Sequence, residues 1–250
     1  MQFLMAKFFQ SKALQSKFLM GAVLTSALFS PFISATPTQL HSYQAEYDIL
    51  RQGERYGSAF RRLNVSEQGC ELSYKSDIKW MIFNDKRSEH AQFYCANGDI
   101  KPLSYVMERT GTGPDRKYTL NFNHDKKQVM SNRSKYPLEI NWETGVQDLM
   151  TYQAKMRLDL MAGKKVFDYP IVDKKGKARH YKFEILGTET ITLPYGNVET
   201  IKAKRVYNSD KRQALAWFAP SMDYLLVRMW KGEKGVEQFD VQLKSYEVIK

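Results

Sequence analysis

From Tyr43 onward the chain alternates. Tyr43, Ala45, Tyr47 and Ile49 are separated by Gln44, Glu46 and Asp48, so every second side chain is apolar. A period of two belongs to a pleated strand with one dry and one wet face; it does not fit a helix of 3.6 residues per turn. The alternation returns at Leu72, Tyr74, Ile78, Trp80 and Ile82, at Tyr118, Leu120 and Phe122, at Tyr181, Phe183 and Ile185, and at Phe239, Val241 and Leu243. Turn-forming clusters separate these runs, at 52–57, 67–69, 84–87, 96–99, 111–115, 123–127, 174–177, 194–197 and 231–235. Short strands punctuated this regularly form a meander, so the expected fold is mainly β: a single antiparallel, strongly curved sheet, or a barrel or half-barrel.

One stretch breaks the rule. Between Glu143 and Gly163, the residues Val146, Leu149, Met150, Gln153, Met156 and Leu160 recur at helical spacing, and only Gln153 is polar. Thr144 followed by Gln147 resembles a helix start and Gly163 a helix stop. The pattern predicts one long helix over 144–162. It is expected to cover a face or mouth of the sheet, because a lone amphipathic helix has nothing else to bury against.

The first 35 residues differ in kind. They carry Lys7, Lys12 and Lys17 and no acid, then a largely apolar run from Phe18 to Ile33. This is the layout of a secretory signal peptide, with cleavage expected after Ala35. An uncleaved anchor is the alternative, but the run falls short of the roughly 20 residues that a spanning helix needs. No cysteine follows the cleavage point to accept a lipid. The expected product is therefore a single exported β-rich domain, 36–250, periplasmic and soluble rather than membrane-spanning once processed.

Charge narrows the partners. The formal net charge of +11 becomes +8 once Lys7, Lys12 and Lys17 are removed, and Lys174, Lys175, Lys177 and Arg179 form the densest basic cluster. A solvated surface explains most of such an excess; anionic envelope material, such as acidic lipid, is the sharper reading. Nucleic acid is not expected, since export removes the chain from it and no basic helix appears.

Cys70 and Cys95 are the two cysteines. In an oxidising compartment a disulfide between them is expected, with two free thiols as the alternative. A hairpin that pairs residue 70 with residue 95 also pairs 80 with 85 and leaves 81–84 as its loop.

No catalytic motif is present: there is no Gly-x-Ser-x-Gly elbow, no His-Glu-x-x-His, no Walker loop and no dinucleotide fingerprint. The four histidines are dispersed: His41, His124 and His180 read as surface residues and His90, in phase with Gln92, as facing solvent or a lumen, while Glu143 and Asp148 are accounted for by the start of the predicted helix. No catalytic, metal-binding or cofactor-binding residue is expected. The remaining set is aromatic and Met-rich: Trp80, Trp142, Met150, Tyr152, Met156, Trp217 and Phe218 could line an apolar ligand cavity or simply fill a core.

Four stretches carry a resemblance. They are Tyr43 to Leu50 with Gly57 beyond it; Val146-Gln147-Asp148-Leu149-Met150-Thr151-Tyr152-Gln153; Leu193-Pro194-Tyr195-Gly196-Asn197-Val198-Glu199-Thr200; and Ala216-Trp217-Phe218-Ala219-Pro220, continuing through Leu225, Leu226, Val227 and Arg228. In this order the chain resembles the exported bacterial family known as domain of unknown function 3108. The resemblance implies an exported β-rich protein and supplies no catalytic residues. The leading expectation is a non-enzymatic periplasmic protein that binds or carries a hydrophobic or amphiphilic envelope molecule. An interaction module in envelope assembly and a hydrolase of envelope glycans are the alternatives.

Overall fold

The computed structural model describes residues 39–132, 138 and 140–249; the leader and the Ala35 cleavage point lie outside them. The described strands are β1 (Tyr43–Arg51), β2 (Glu54–Ser66), β3 (Gly69–Trp80), β4 (Phe83–Tyr94), β5 (Lys101–Gly111), β6 (Arg116–Asn123), β7 (Gln128–Ser131), β8 (Phe167–Val172), β9 (Ala178–Leu193), β10 (Gly196–Val206), β11 (Arg212–Ala219), β12 (Leu225–Glu233) and β13 (Val236–Val248), with one α-helix, α1 (Thr151–Met161), between β7 and β8. All thirteen strands form one antiparallel sheet in the order β7-β6-β5-β4-β3-β2-β1-β13-β12-β11-β10-β9-β8. β1 and β13 pair at its centre, Tyr43 opposite Val248. The sheet is open, with β7 and β8 at its two edges.

Alternation places one row of side chains after another on the inner face. Tyr43, Leu63, Leu72, Ala91, Tyr105 and Leu120 stand opposite one another across six strands, and all are buried. Fully burying a Leu of this kind contributes roughly 1.5–3 kcal/mol, so this row anchors the core.

The edges meet other parts of the chain. Gln147 pairs with Ile171 and covers the outer edge of β8: its N–H donates to the Pro170 carbonyl at 2.8 Å, and its carbonyl accepts from Val172 at 3.0 Å. Its side chain donates to the Ile100 carbonyl at 3.1 Å, beyond β4. The Tyr118 hydroxyl of β6 donates to the Asp173 carbonyl, just past β8, at 2.9 Å.

The helix is shorter than its pattern and differently placed. Gly145, at φ 81°, and the bridging Gln147 keep 144–150 out of it. Its start is organised by Asp148, whose carboxylate accepts from the N–H of Met150 at 2.7 Å and of Thr151 at 2.9 Å while its own N–H donates to the Thr151 hydroxyl at 3.0 Å. This reciprocal arrangement is a capping box, displaced from the expected Thr144 and Gln147 pair. Gly163 ends the helix as expected, at φ 69°. No residue of α1 is exposed. Ala154 and Leu158 join the main core, while Met156 and Leu160 join a second cluster with Phe167, Tyr169, Ile171 and Phe218.

The β3–β4 hairpin corrects the expected register by two residues. Trp80 faces Phe83 and Cys70 faces Phe93, so the turn is only Met81 and Ile82, and 84–87 are strand rather than loop. The Cys70–Cys95 disulfide is present, joining Cys70 diagonally to the residue just after β4, with the Cα atoms 5.8 Å apart. Ending the hairpin earlier moves Trp80 and Ile82 off the dry face to its tip, where they are 43% and 86% exposed.

Candidate functional site

Below the apolar row the inner face changes character. The next row reads Ala45, Arg61, Tyr74, Glu89, Met107; the next Tyr47, Ala59, Ser76, Arg87, Arg109; and the last Ile49, Gly57, Ile78, Asp85, Gly111. Gly57, Ala59 and Ser76 place little bulk on the central strands. A recess of about 510 Å³ opens against Ser76, walled by Tyr47, Ile49, Tyr74 and Ile78, by Leu226, Met229, Phe239 and Val241 from β12 and β13, and by Leu149, Met150 and Gln153 at the start of α1. That size is within the roughly 300–1,000 Å³ of small-molecule sites. Gly57 is required where it stands, because a β-carbon there would overlap the Asp77 carbonyl on β3.

The recess is apolar with charged groups set into it, and most of those charges are matched. Arg228 makes two hydrogen bonds to Asp240, at 3.0 and 2.7 Å; Asp85 accepts from Arg109 at 2.6 Å; Glu89 accepts from the Tyr105 hydroxyl at 2.7 Å. Arg61 is the exception. It is only 6% exposed, its Nη1 donates to the Gln153 side-chain oxygen at 2.7 Å, and its buried Nε has no partner. Among the described residues no carboxylate lies within ion-pair distance of it. A guanidinium does not deprotonate in a protein, so the charge stays. Sequence reasoning passed over Arg61, although its signal is legible: it falls in phase with Ala59 and Leu63, a charge at a dry position of a strand.

The seven aromatic and Met residues singled out from sequence are dispersed. Met150 lines the recess, and Trp80 lines a smaller hollow that shares Ile49, Ile78, Asp85 and Phe239 with it. Met156 and Phe218 are buried in the second cluster, with Tyr152 half-buried against it, stacked on Phe183 and edge-on to Tyr181. Trp217 is buried in the main core with its N–H on Glu189, and Trp142 is half-buried, edge-on to His124.

The dispersed histidines mostly find acids. His41 meets Asp223 at 2.7 Å and His90 meets Glu71 at 2.8 Å. His180 meets two, Asp168 through Nδ1 at 2.7 Å and Glu143 through Nε2 at 3.1 Å. The Asp168 hydrogen bond, aided by Glu143, raises the imidazole above its ordinary range. Both ring nitrogens face carboxylates, so the arrangement holds an imidazolium and offers no base to a nucleophile. It joins the segment before α1 to β8 and β9. No cluster of three metal-ligating side chains occurs among the described residues.

The fold and the recess define a class: a single open antiparallel sheet with one internal helix and a partly apolar, partly cationic hollow on its inner face. The model of the family described as protein of unknown function, DUF3108, matches residues 72–235, and the chain belongs to that family. Three of the four stretches that carried the resemblance fall within the matched span. No curated protein matches the chain. A crystal structure described as that of a "putative lipoprotein" from Parabacteroides distasonis ATCC 8503 aligns with 84% of this chain and 96% of its own, at 13% identity and a TM-score of 0.33. At that score the likeness says nothing about this chain's fold or function. No helix among the described residues is long and apolar enough to cross a membrane.

Proposed function

We propose that the protein is exported, processed after Ala35, and acts in the periplasm as a non-enzymatic binding or carrier protein for an amphiphile with an acidic headgroup. On this reading 36–250 is one domain, its sheet curves into an open half-barrel, and α1 closes part of the hollow. Contacts between distant strands favour the curvature, Tyr118 to Asp173 among them. The observation that carries the ligand assignment is Arg61, a buried guanidinium without a carboxylate in an otherwise largely apolar recess. Leaving a charge in that state costs several kcal/mol, which an anionic headgroup placed beside it offsets. Acyl chain against Ile49, Ile78, Phe239 and Val241 would supply the apolar part of the affinity.

Native mass spectrometry of the gently purified protein tests this directly. The expected spectrum shows a retained acidic lipid or fatty acid, absent from the Ser76→Phe variant, whose ring fills the recess floor. A protein that retains nothing and binds no long-chain fatty acid on titration sinks the proposal.

A further inference from the structure

The exposed tip of the β3–β4 hairpin is a run of four large apolar residues. Trp80 is 43% exposed, Met81 85%, Ile82 86% and Phe83 51%. Isolated apolar residues are ordinary on a surface, but an unbroken exposed run is unfavourable in water unless something covers it. We infer that this tip, with the basic residues around it, is a docking surface for an anionic lipid bilayer. The inference stands apart from the ligand reading, since it concerns the outside of the molecule.

Three features support it. The tip is held out rather than loose: Trp80 and Phe83 stack with ring centres 5.8 Å apart, and Asn84 is locked to the next hairpin, accepting from the N–H of Thr112 at 2.7 Å and donating to its hydroxyl at 3.0 Å. Gly111 permits that approach, because a β-carbon there would overlap the Asn84 carbonyl. Met81 has φ 53°, the left-handed region that disfavours any side chain with a β-carbon, so backbone conformation alone would select glycine there. The turns at Gln52 and Lys234, at the same end of the sheet, share this backbone angle but carry polar side chains there, whereas this turn carries an exposed methionine.

Charge is the second feature. The antiparallel order puts the turns at 52–53, 81–82, 112–115, 173–177, 207–211 and 234–235 at one end of the sheet. Those turns and their flanking residues carry more bases than acids, including Arg51 over the Trp80 ring and exposed Lys79 beside it. The turns at the opposite end are closer to balance, with Glu67, Asp99, Asp125 and Asp223 against Lys126 and Lys127. Partial burial, with Arg87 among the nearby cations, holds both Lys174 and Lys231 below the ordinary lysine range. Apolar residues with tryptophan at the tip and Lys and Arg behind them match the layering of a bilayer: acyl chains, then interface, then anionic headgroups.

The third feature is position. The hollow bordered by Trp80 and Phe83 shares Ile49, Ile78, Asp85 and Phe239 with the recess, so the tip adjoins it.

The test uses the full chain as isolated from the producing cell, with vesicles of phosphatidylglycerol and phosphatidylcholine or of phosphatidylcholine alone. Expected are binding to the anionic vesicles, weakening as salt rises, and tryptophan quenching by brominated acyl chains that is lost in Trp80→Phe. The double variant Met81→Gly/Ile82→Ser should bind at least about tenfold more weakly, yet unfold at no lower temperature, since glycine accepts the backbone angle. Equal binding by wild type and double variant overturns the inference, as an apolar N-terminus acting alone would produce. So does equal binding to both vesicle types. Absence of vesicle binding overturns it too, whether the tip then proves to hold a protein or a second copy of the chain.

Discussion

Arg61 of β2 donates to the side-chain oxygen of Gln153 on α1 at 2.7 Å, so the sheet grips its helix through a guanidinium that has no acid of its own. The contact joins wall and helix at the edge of the recess. It holds the two in place at the cost of a buried charge, and it leaves the Nε donor unused.

Replacing Arg61 by methionine should therefore separate stability from binding. Relief of the buried charge outweighs the orphaned Gln153 amide, so unfolding in denaturant should cost about 1 kcal/mol more than in the wild type. Affinity for a fluorescent fatty acid should fall at least about tenfold, while a neutral monoacylglycerol binds as before. A variant that is both less stable and unchanged in fatty-acid affinity would show Arg61 to be structural.

The pH dependence of stability should carry two signatures of the segment before and at the start of α1. Asp148 is buried, and burial raises its carboxyl from 3.8 to about 6. The folded state then holds the proton more tightly than the unfolded chain, so this contribution is complete below pH 3.8 and is lost as pH rises through about 6. His180 has the same sign in a higher window: its folded value is raised, so its contribution is present below the unfolded value and disappears as pH rises past the folded one. Asp168 opposes both. Burial alone would raise it, but hydrogen bonds from His180 and Lys182 hold it below its ordinary value, and its contribution is lost in strong acid. Thermal midpoints of Asp148→Asn and His180→Asn, taken from pH 4 to 9, should each flatten in the window of the altered group. Curves parallel to the wild type throughout would refute the assignment.

Removing the disulfide should lower stability without altering the sheet. Cys70 and Cys95 close a loop of 25 residues, and in the chain-entropy model such closure contributes about 3 kcal/mol. The Cys70→Ser/Cys95→Ser pair should therefore unfold at a clearly lower temperature with an unchanged far-ultraviolet spectrum. A loss below about 1 kcal/mol would mean that the β3–β4 hairpin already restrains the unfolded chain.

How far the sequence is legible can be judged at that hairpin. Alternation reports the face a residue occupies and is blind to a slip of two, which returns every side chain to the same face. The parity of Cys70 and Cys95 was therefore readable, while their register depended on the tight turn at Met81 and Ile82. Two residues of error decided whether Trp80 belongs to the core or to the tip. The helix illustrates the same limit. Gly163 is a local stop signal and was found, whereas the start at Asp148 depends on Gln147 pairing with Ile171 of β8, a partner whose register no local window contains.

By itself, then, the amino-acid order determined that the chain is mainly antiparallel β, the face taken by the alternating side chains within the runs it marks, and the cysteine partner, because these depend on neighbours one or two residues apart or on a choice of one. Tertiary structure alone decided that small residues at Gly57, Ala59 and Ser76 stand side by side, that Arg61 is enclosed without an acid, and that His180 meets Asp168 and Glu143. Each of these depends on chain segments far apart in sequence. Burial and charge balance at such points are properties of the assembled sheet.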